Sequence, residues 1–249
     1  MSEFAAGPAG RIERVRALMA ERGYDAIVVR DEANLRWLTG VKGVFDYTFE
    51  FPHAAFITAD QCLFHTDSRY LNSFEENTSA GSPWVYDMDE GTIPGWVAGK
   101  IAANKCRVCA IEDDMQINFY QGIQRGLEDR SVACMLPLMH DDIRKMRAIK
   151  DAEEIELMRH AQSITDAAFQ HMLGYIKPGM TEKQVRNELE NFMFANGADS
   201  LAFGSIVASG PNTANPHAVP SDRVIEKGDF VLMDYGAGYC DYRSDMTRT

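Results

Sequence analysis

Asp229-Phe-Val-Leu-Met-Asp234-Tyr-Gly-Ala-Gly-Tyr-Cys-Asp-Tyr-Arg-Ser-Asp245-Met-Thr-Arg-Thr249 is the stretch that decides the fold of the chain's second half. Its first part is an apolar run that ends in an acid, the pattern of a strand buried on both faces. Gly236, Gly238 and Asp241 follow and supply turn chemistry. A turn centred between Tyr239 and Cys240 places Asp234 and Asp245 opposite each other on an antiparallel hairpin. Like charges in that position repel, and one pKa is pushed up. A divalent cation between them turns the repulsion into a binding site, because hard cations take carboxylate oxygens. On these residues alone a solvated hairpin is the commoner alternative.

The upstream segment adds a second feature. Phe203-Gly-Ser-Ile-Val-Ala-Ser-Gly-Pro-Asn-Thr-Ala-Asn-Pro-His217-Ala-Val-Pro220 reads as a strand, a Gly-Pro-Asn turn and a lone histidine between prolines. A Lys-Gly turn at Lys227-Gly228 then leads into the Asp234 strand. A lone loop histidine is more often an ordinary surface residue than a catalyst.

Taken in order, this series resembles the pita-bread metallopeptidases: Xaa-Pro aminopeptidases, prolidases, methionine aminopeptidases and the metal-free creatinase. The closing Ser244-Asp-Met-Thr-Arg-Thr249 is similar to the signature of the proline-specific branch. Asn34-Leu-Arg-Trp-Leu-Thr-Gly40, Thr66-Asp-Ser-Arg-Tyr70 and Arg147-Ala-Ile-Lys-Asp-Ala-Glu-Glu-Ile155 resemble segments of the family's N-terminal domain and inter-domain helix. The resemblance implies an α/β creatinase-like domain over residues 1–138. The first half of an α+β pita-bread catalytic domain follows over residues 139–249.

It also implies a role for each residue. Asp234 and Asp245 would ligate two divalent ions, manganese first, with cobalt or zinc as alternatives. His217 would contact substrate beside them; separately from the resemblance, the position of Thr247 two residues after Asp245 lets its hydroxyl bond near that carboxylate. The reaction would be metal-assisted hydrolysis of Xaa-Pro bonds in short peptides, by an aminopeptidase or a dipeptidase. The family's remaining ligands, a His and two Glu, are expected beyond Thr249, so this polypeptide alone is expected to be inactive. An N-terminal domain of roughly 135 residues speaks against a methionine aminopeptidase, and the two aspartates speak against a creatinase-like amidinohydrolase. A non-catalytic scaffold with the same fold is the alternative from a different class.

Composition sets outer bounds. The 249 residues carry a net charge of −12, from 25 basic and 37 acidic side chains, which argues against nucleic acid as a partner. No apolar stretch has membrane-spanning length, and the N-terminus lacks the apolar core of a signal peptide. A cytoplasmic protein is expected, and a homodimer is compatible with it. Five cysteines suggest reduced thiols, and Cys106-Arg-Val-Cys109 lacks the second ligand pair of a zinc site, so it reads as buried strand.

The elements follow from periodicity and caps. Helices are predicted at Arg11–Arg22, Met115–Leu127 and Asp141–Lys150, and strands at Asp25–Arg30, Ala54–Thr58, Cys62–Thr66 and Arg107–Ile111. Asp151 with Glu154 and Thr181 with Gln184 are capping boxes that open two further helices. The first of these presents Ile155, Met158, Ala161, Ile164, Ala168 and Met172 as its buried face, and Gly174 should end it. The second buries Val185, Leu189, Phe192 and Met193.

Overall fold

The computed structural model describes residues 7–42, 51–88 and 91–249. The chain divides into two compact units, Met1–Ile149 and Lys150–Thr249. The division falls later than the sequence boundary near residue 138. Met139 and Ile143 explain the difference, because both are buried in the first unit's core.

The first unit opens with α1 (Gly7–Arg22), β1 (Ala26–Val29), α2 (Glu32–Thr39), β2 (Ala54–Thr58) and β3 (Cys62–His65). It continues through α3 (Leu71–Asn77), β4 (Trp84–Asp87), α4 (Ile93–Ala103), β5 (Cys109–Ile111), α5 (Ile117–Glu128) and α6 (Asp142–Ala148). The strands form a mixed five-stranded sheet in the order β4-β3-β2-β1-β5. Side chains alternate along each strand and fill two cores. Ile27, Val29, Ala55 and Ile57 pack with Ile12, Val15, Leu35 and Leu38 on one face. Ala26, Val28, Ala54 and Phe56 pack with Trp96, Val97, Ile101 and Ile123 on the other. Burial on both faces explains why these strands read as unbroken apolar runs.

Cys106 and Cys109 are buried, and burial raises both thiols, Cys106 to about 11. They are packing residues, as expected. His53 is also structural. It is buried, its Nδ1 lies 3.1 Å from Thr66 Oγ1, and Phe51, Tyr70 and Phe74 surround its ring. Burial drives its pKa down to about 4. The short helices α2, α3 and α4 have no counterpart in the expected elements. Their stop and start signals are nonetheless present: Asp31 accepts from Asn34 N at the start of α2, Gly40 is left-handed at its end, and Thr92 accepts from Gly95 N at the start of α4.

The second unit contains α7 (Ala152–Tyr175), α8 (Glu182–Ala195), β6 (Ser200–Leu201), β7 (Ile206–Ser209), a 3-10 helix at Gly210–Ala214, β8 (Val231–Tyr235), β9 (Ala237–Tyr239), β10 (Tyr242–Arg243) and β11 (Met246–Arg248). Both capping boxes are formed, at Asp151 and Thr181. The strands make two three-stranded sheets, β10-β9-β6 and β11-β8-β7. Met233, Tyr235, Ala237 and Met246 face a core built from Ile164, Ala168 and Met172 of α7 and Val185, Leu189 and Met193 of α8. Two expectations need correction. Ile155 and Met158 are exposed rather than buried, because the packed stripe of α7 begins at Ala161. Gly174 does not end α7, which runs on to Tyr175.

Glu112 gives the first unit a pH dependence. It is buried, and it accepts hydrogen bonds from Asp31 N at 2.7 Å, Asn34 Nδ2 at 2.7 Å and Arg30 N. Burial outweighs these donors and pushes its pKa from 4.5 up to about 7. The fold therefore favours the protonated form. The resulting stability is complete below about pH 4.5 and is lost as pH rises through about 7, a span worth roughly 3 kcal/mol. All three tryptophans, Trp37, Trp84 and Trp96, lie in this unit, so fluorescence-detected urea unfolding reports on it. Between pH 5 and pH 8 the wild type should lose stability relative to Glu112→Gln, which keeps only the opposite gain that His53 contributes as pH rises toward 6.5. Equal slopes for the two proteins would refute the assignment.

Candidate metal centre

The register of the last hairpin decides where the two aspartates lie. Tyr242 pairs with Tyr239 and Arg243 with Gly238, so the turn residues are Cys240 and Asp241. Both have positive φ, 47° and 68°, as a two-residue type I′ turn requires. Asp199 Oδ2 supports the turn by accepting from Cys240 N at 2.7 Å. The turn centre thus lies one residue later than expected, and each partner moves by two. Asp234 is opposite Thr247, not Asp245. This corrects the facing pair: by the strand's period of two, Asp245 is the diagonal neighbour of Asp234 on the same sheet face. The diagonal offset relieves the direct like-charge contact and leaves both carboxylates on one surface.

Glycine placement is corrected in the same way. Gly238 is a residue of β9 and Gly236 is the single residue between β8 and β9, so neither lies in the turn. A Cβ at Gly236 would lie 2.0 Å from the Ser244 carbonyl oxygen, and one at Gly238 would lie 2.2 Å from Ser200 Oγ. They are glycines because other chain segments approach closely. Here the hairpin passes from one sheet to the other. Ala237 N donates to Ser244 Oγ at 2.9 Å and to Thr165 Oγ1 at 3.1 Å, and the two hydroxyls lie 2.6 Å apart. Thr165 and Ser244 are both buried. Sequence reasoning passed over both, although Thr165 falls on the core-facing stripe of α7, where an unpaired hydroxyl would be costly.

Asp234 sits on the central strand β8, opposite Ile206 on β7 and Thr247 on β11. Its side chain faces away from the helical core that holds Met233 and Tyr235. Asp234 Oδ1 is shut off from solvent and has no hydrogen-bond partner. An orphaned carboxylate oxygen costs on the order of 1–3 kcal/mol. Such an atom fits a cation ligand, and the oxygen donors of two carboxylates suit a hard divalent ion. Asp245 and His217 are exposed. His217 follows the 3-10 helix, and its backbone N donates to Asn215 Oδ1 at 3.1 Å. No hydrogen bond or ion pair joins the side chains of Asp234, Asp245 and His217. Among the described residues, no three His, Cys, Asp or Glu side chains gather into a metal site. The remaining histidines of this unit are engaged elsewhere: His160 lies against the Tyr239 ring, and His171 pairs with Glu188 at 2.6 Å.

Comparison with known proteins accounts for both units. Residues 11–149 match the creatinase/prolidase N-terminal domain, and residues 156–249 match metallopeptidase family M24. The chain belongs to this creatinase/prolidase family of peptidases. It is 34% identical to an uncharacterized peptidase of Bacillus subtilis, over 96% of this chain and 64% of that protein. It is 45% identical to an Xaa-Pro dipeptidase of Pyrococcus horikoshii, over 96% of this chain and 63% of that protein. The solved structure of an Xaa-Pro dipeptidase from Bacillus anthracis superposes with a TM-score of 0.84 at 34% identity, covering 97% of this chain and 64% of that one. The chain thus spans just under two thirds of the length of these relatives. The fold is a creatinase-like N-terminal domain followed by part of a pita-bread domain, as the sequence motifs implied.

The close approach at Gly236 can be tested directly. Gly236→Ala should destabilise the second unit by about 3 kcal/mol, because backbone must separate to admit the methyl group. Gly174→Ala is the control: a Cβ there meets nothing within 4 Å, so the change should be neutral or stabilise α7 by up to ~1 kcal/mol. Calorimetry of the two variants reads the difference, and a neutral Gly236→Ala would contradict the hairpin geometry.

Proposed function

We propose that the whole protein is a metal-dependent hydrolase of Xaa-Pro bonds in short peptides, an aminopeptidase or a dipeptidase. The observation that carries this reading is the unpartnered, solvent-shielded Oδ1 of Asp234 on the central strand, with Asp245 diagonal to it. Asp234 and Asp245 would hold the ions, two in number. Their oxygen donors suit manganese, while intrinsic affinity favours cobalt or zinc where these are supplied. When bound, such ions supply Lewis acidity toward the peptide carbonyl and a reactive water at neutral pH.

The chain's own residues set the surroundings. Ile206 lies opposite Asp234, and Leu232 lies two residues before it on the same strand, so apolar side chains border the carboxylate. That border lowers the local dielectric and strengthens attraction between carboxylate and cation. His217 presents an imidazole on an exposed loop. Its task in this reading is to donate a hydrogen bond to the substrate amide as negative charge develops on the carbonyl oxygen. The free, buried thiols Cys62, Cys106 and Cys109 suit a reducing compartment such as the cytoplasm.

In the whole protein, Asp234→Asn and Asp245→Asn should each lower bound metal and cut turnover more than about a hundred-fold, with circular dichroism unchanged. In metal-free protein Asp234→Asn should be close to neutral, since the shielded Oδ1 has no hydrogen bond to lose. Unchanged metal content with most activity retained would end the assignment.

Substrate class is tested separately with Xaa-Pro, Xaa-Ala and Met-Ala peptides. Xaa-Pro should be preferred, and chelation should stop its cleavage. A preference for Met-Ala would move the protein to the methionine aminopeptidase reading.

A further inference from the structure

Glu182 is a fully buried carboxylate at the first turn of α8. No motif in the sequence pointed to it. Both of its oxygens are used. Oε1 accepts from Ser209 N at 2.7 Å, Ser209 Oγ at 2.9 Å and Asn212 Nδ2 at 3.0 Å. Oε2 accepts from Ser221 N at 2.9 Å and Ser221 Oγ at 2.6 Å. Burial works to raise its pKa, but the Ser221 hydroxyl and the other donors outweigh that and hold it below the ordinary glutamate range. The carboxylate is therefore charged at neutral pH.

The positions of these donors give the contact its meaning. Ser209 ends β7, Asn212 lies in the 3-10 helix, and Ser221 stands four residues beyond His217. One side chain thus closes both ends of the loop that carries His217. The loop is tied to α8 a second way. Glu182 N donates to Arg223 O and Lys183 N to Ser221 O, both at 3.2 Å, so backbone donors left open at a helix start are satisfied by this loop. Behind it, Arg223 Nη1 donates to Ser209 Oγ and to Asp229 Oδ2, each at 2.6 Å. Gly210 turns beside that pair with φ 48°, and a Cβ there would lie 2.5 Å from Arg223 Nη2.

We propose that Glu182 is a positioning residue, which fixes the His217 loop by bridging Asn212 and Ser221. This rests on the reading of His217 as a substrate contact. A rigid loop matters because a displacement of about 1 Å at a group that contacts the reacting bond costs up to about a hundred-fold in rate. Glu182→Gln keeps the size of the side chain but turns an N–H₂ group toward serine donors, so one end of the bridge must open.

Hydrogen exchange on the 249-residue chain tests the bridge without reference to activity. Glu182→Gln should speed amide exchange at least ten-fold within residues 209–224 and leave the C-terminal half of α7 unchanged. Ser221→Ala, a milder change that keeps the buried charge partnered, should speed exchange in residues 216–224 only. Unchanged exchange in the loop, or acceleration spread evenly over the second unit, would overturn the proposal. A double-mutant cycle on the whole protein adds the catalytic readout. Glu182→Gln should lower kcat for an Xaa-Pro dipeptide roughly ten- to a hundred-fold, with KM and metal content little changed. In a His217→Ala background it should lower kcat no further. Full multiplicative loss in that background would show that Glu182 does not act through His217. A fully active His217→Ala would instead defeat the functional reading of the histidine, and the exchange data would still decide whether Glu182 holds the loop.

Discussion

The contact between Gly236 and the Ser244 carbonyl is the constraint on which the candidate metal centre depends. Two strands of one hairpin must leave one sheet and enter another without changing register. At the crossing the normal ladder bond from Ala237 N is replaced by the hydroxyls of Ser244 and Thr165. Helix α7 thereby pins the hairpin from the core side, and the glycine admits the partner strand from the other. Because the register survives, Ser244 N still donates to Ala237 O at 3.0 Å, and Asp234 remains opposite Thr247. A side chain at position 236 would part the strands where the two carboxylates are set relative to each other.

The two buried glutamates show how one kind of group is used in opposite electrostatic regimes. Glu112 has three donors and is raised to about 7, whereas Glu182 has five hydrogen bonds and is lowered. Both are nearly or wholly inaccessible to solvent. Burial costs each of them the hydration of a charge, and the balance of that cost and nearby Asp31 against the donors sets the direction of the shift. Both carboxylates also stand at a helix start and join segments distant in sequence. Glu112 links the end of β5 to the turn that begins α2, and Glu182 links α8 to the loop of His217.

Much of this architecture is legible in the residues. Periodic apolar spacing located α1, α5, α7 and α8, and the capping boxes at Asp151 and Thr181 fixed two helix starts, because these signals are local. The apolar runs Ala54–Thr58 and Cys62–Thr66 correspond to β2 and β3 for the same reason. The misses have a common physical origin, since each depends on contacts between distant segments. The Cys240-Asp241 turn was misplaced by one residue because Cys240 carries no turn signature, and its positive φ is supported by Asp199. Thr165 and Ser244 have ordinary local readings, and only their mutual 2.6 Å contact reveals a clamp. Ile155 and Met158 continue the helical stripe in sequence, yet the stripe extends beyond the surface that covers it.

Glu182 was the least legible residue. As the residue after Thr181 it reads as a favourable acid in the first turn of a helix, a role worth only a few tenths of a kcal/mol to about 1 kcal/mol. What it holds lies 27 to 39 positions away, at Ser209, Asn212 and Ser221. A charge at a helix start usually interacts with solvent and its own backbone. Here the strand end, the 3-10 helix and the return loop close over it, and the same carboxylate becomes the point to which the His217 loop is fastened. The Asp234–Asp245 hairpin and the His217 loop are therefore set by separate devices in this unit. The hairpin clamp sets the first and the Glu182 bridge sets the second, so each can be perturbed without moving the other.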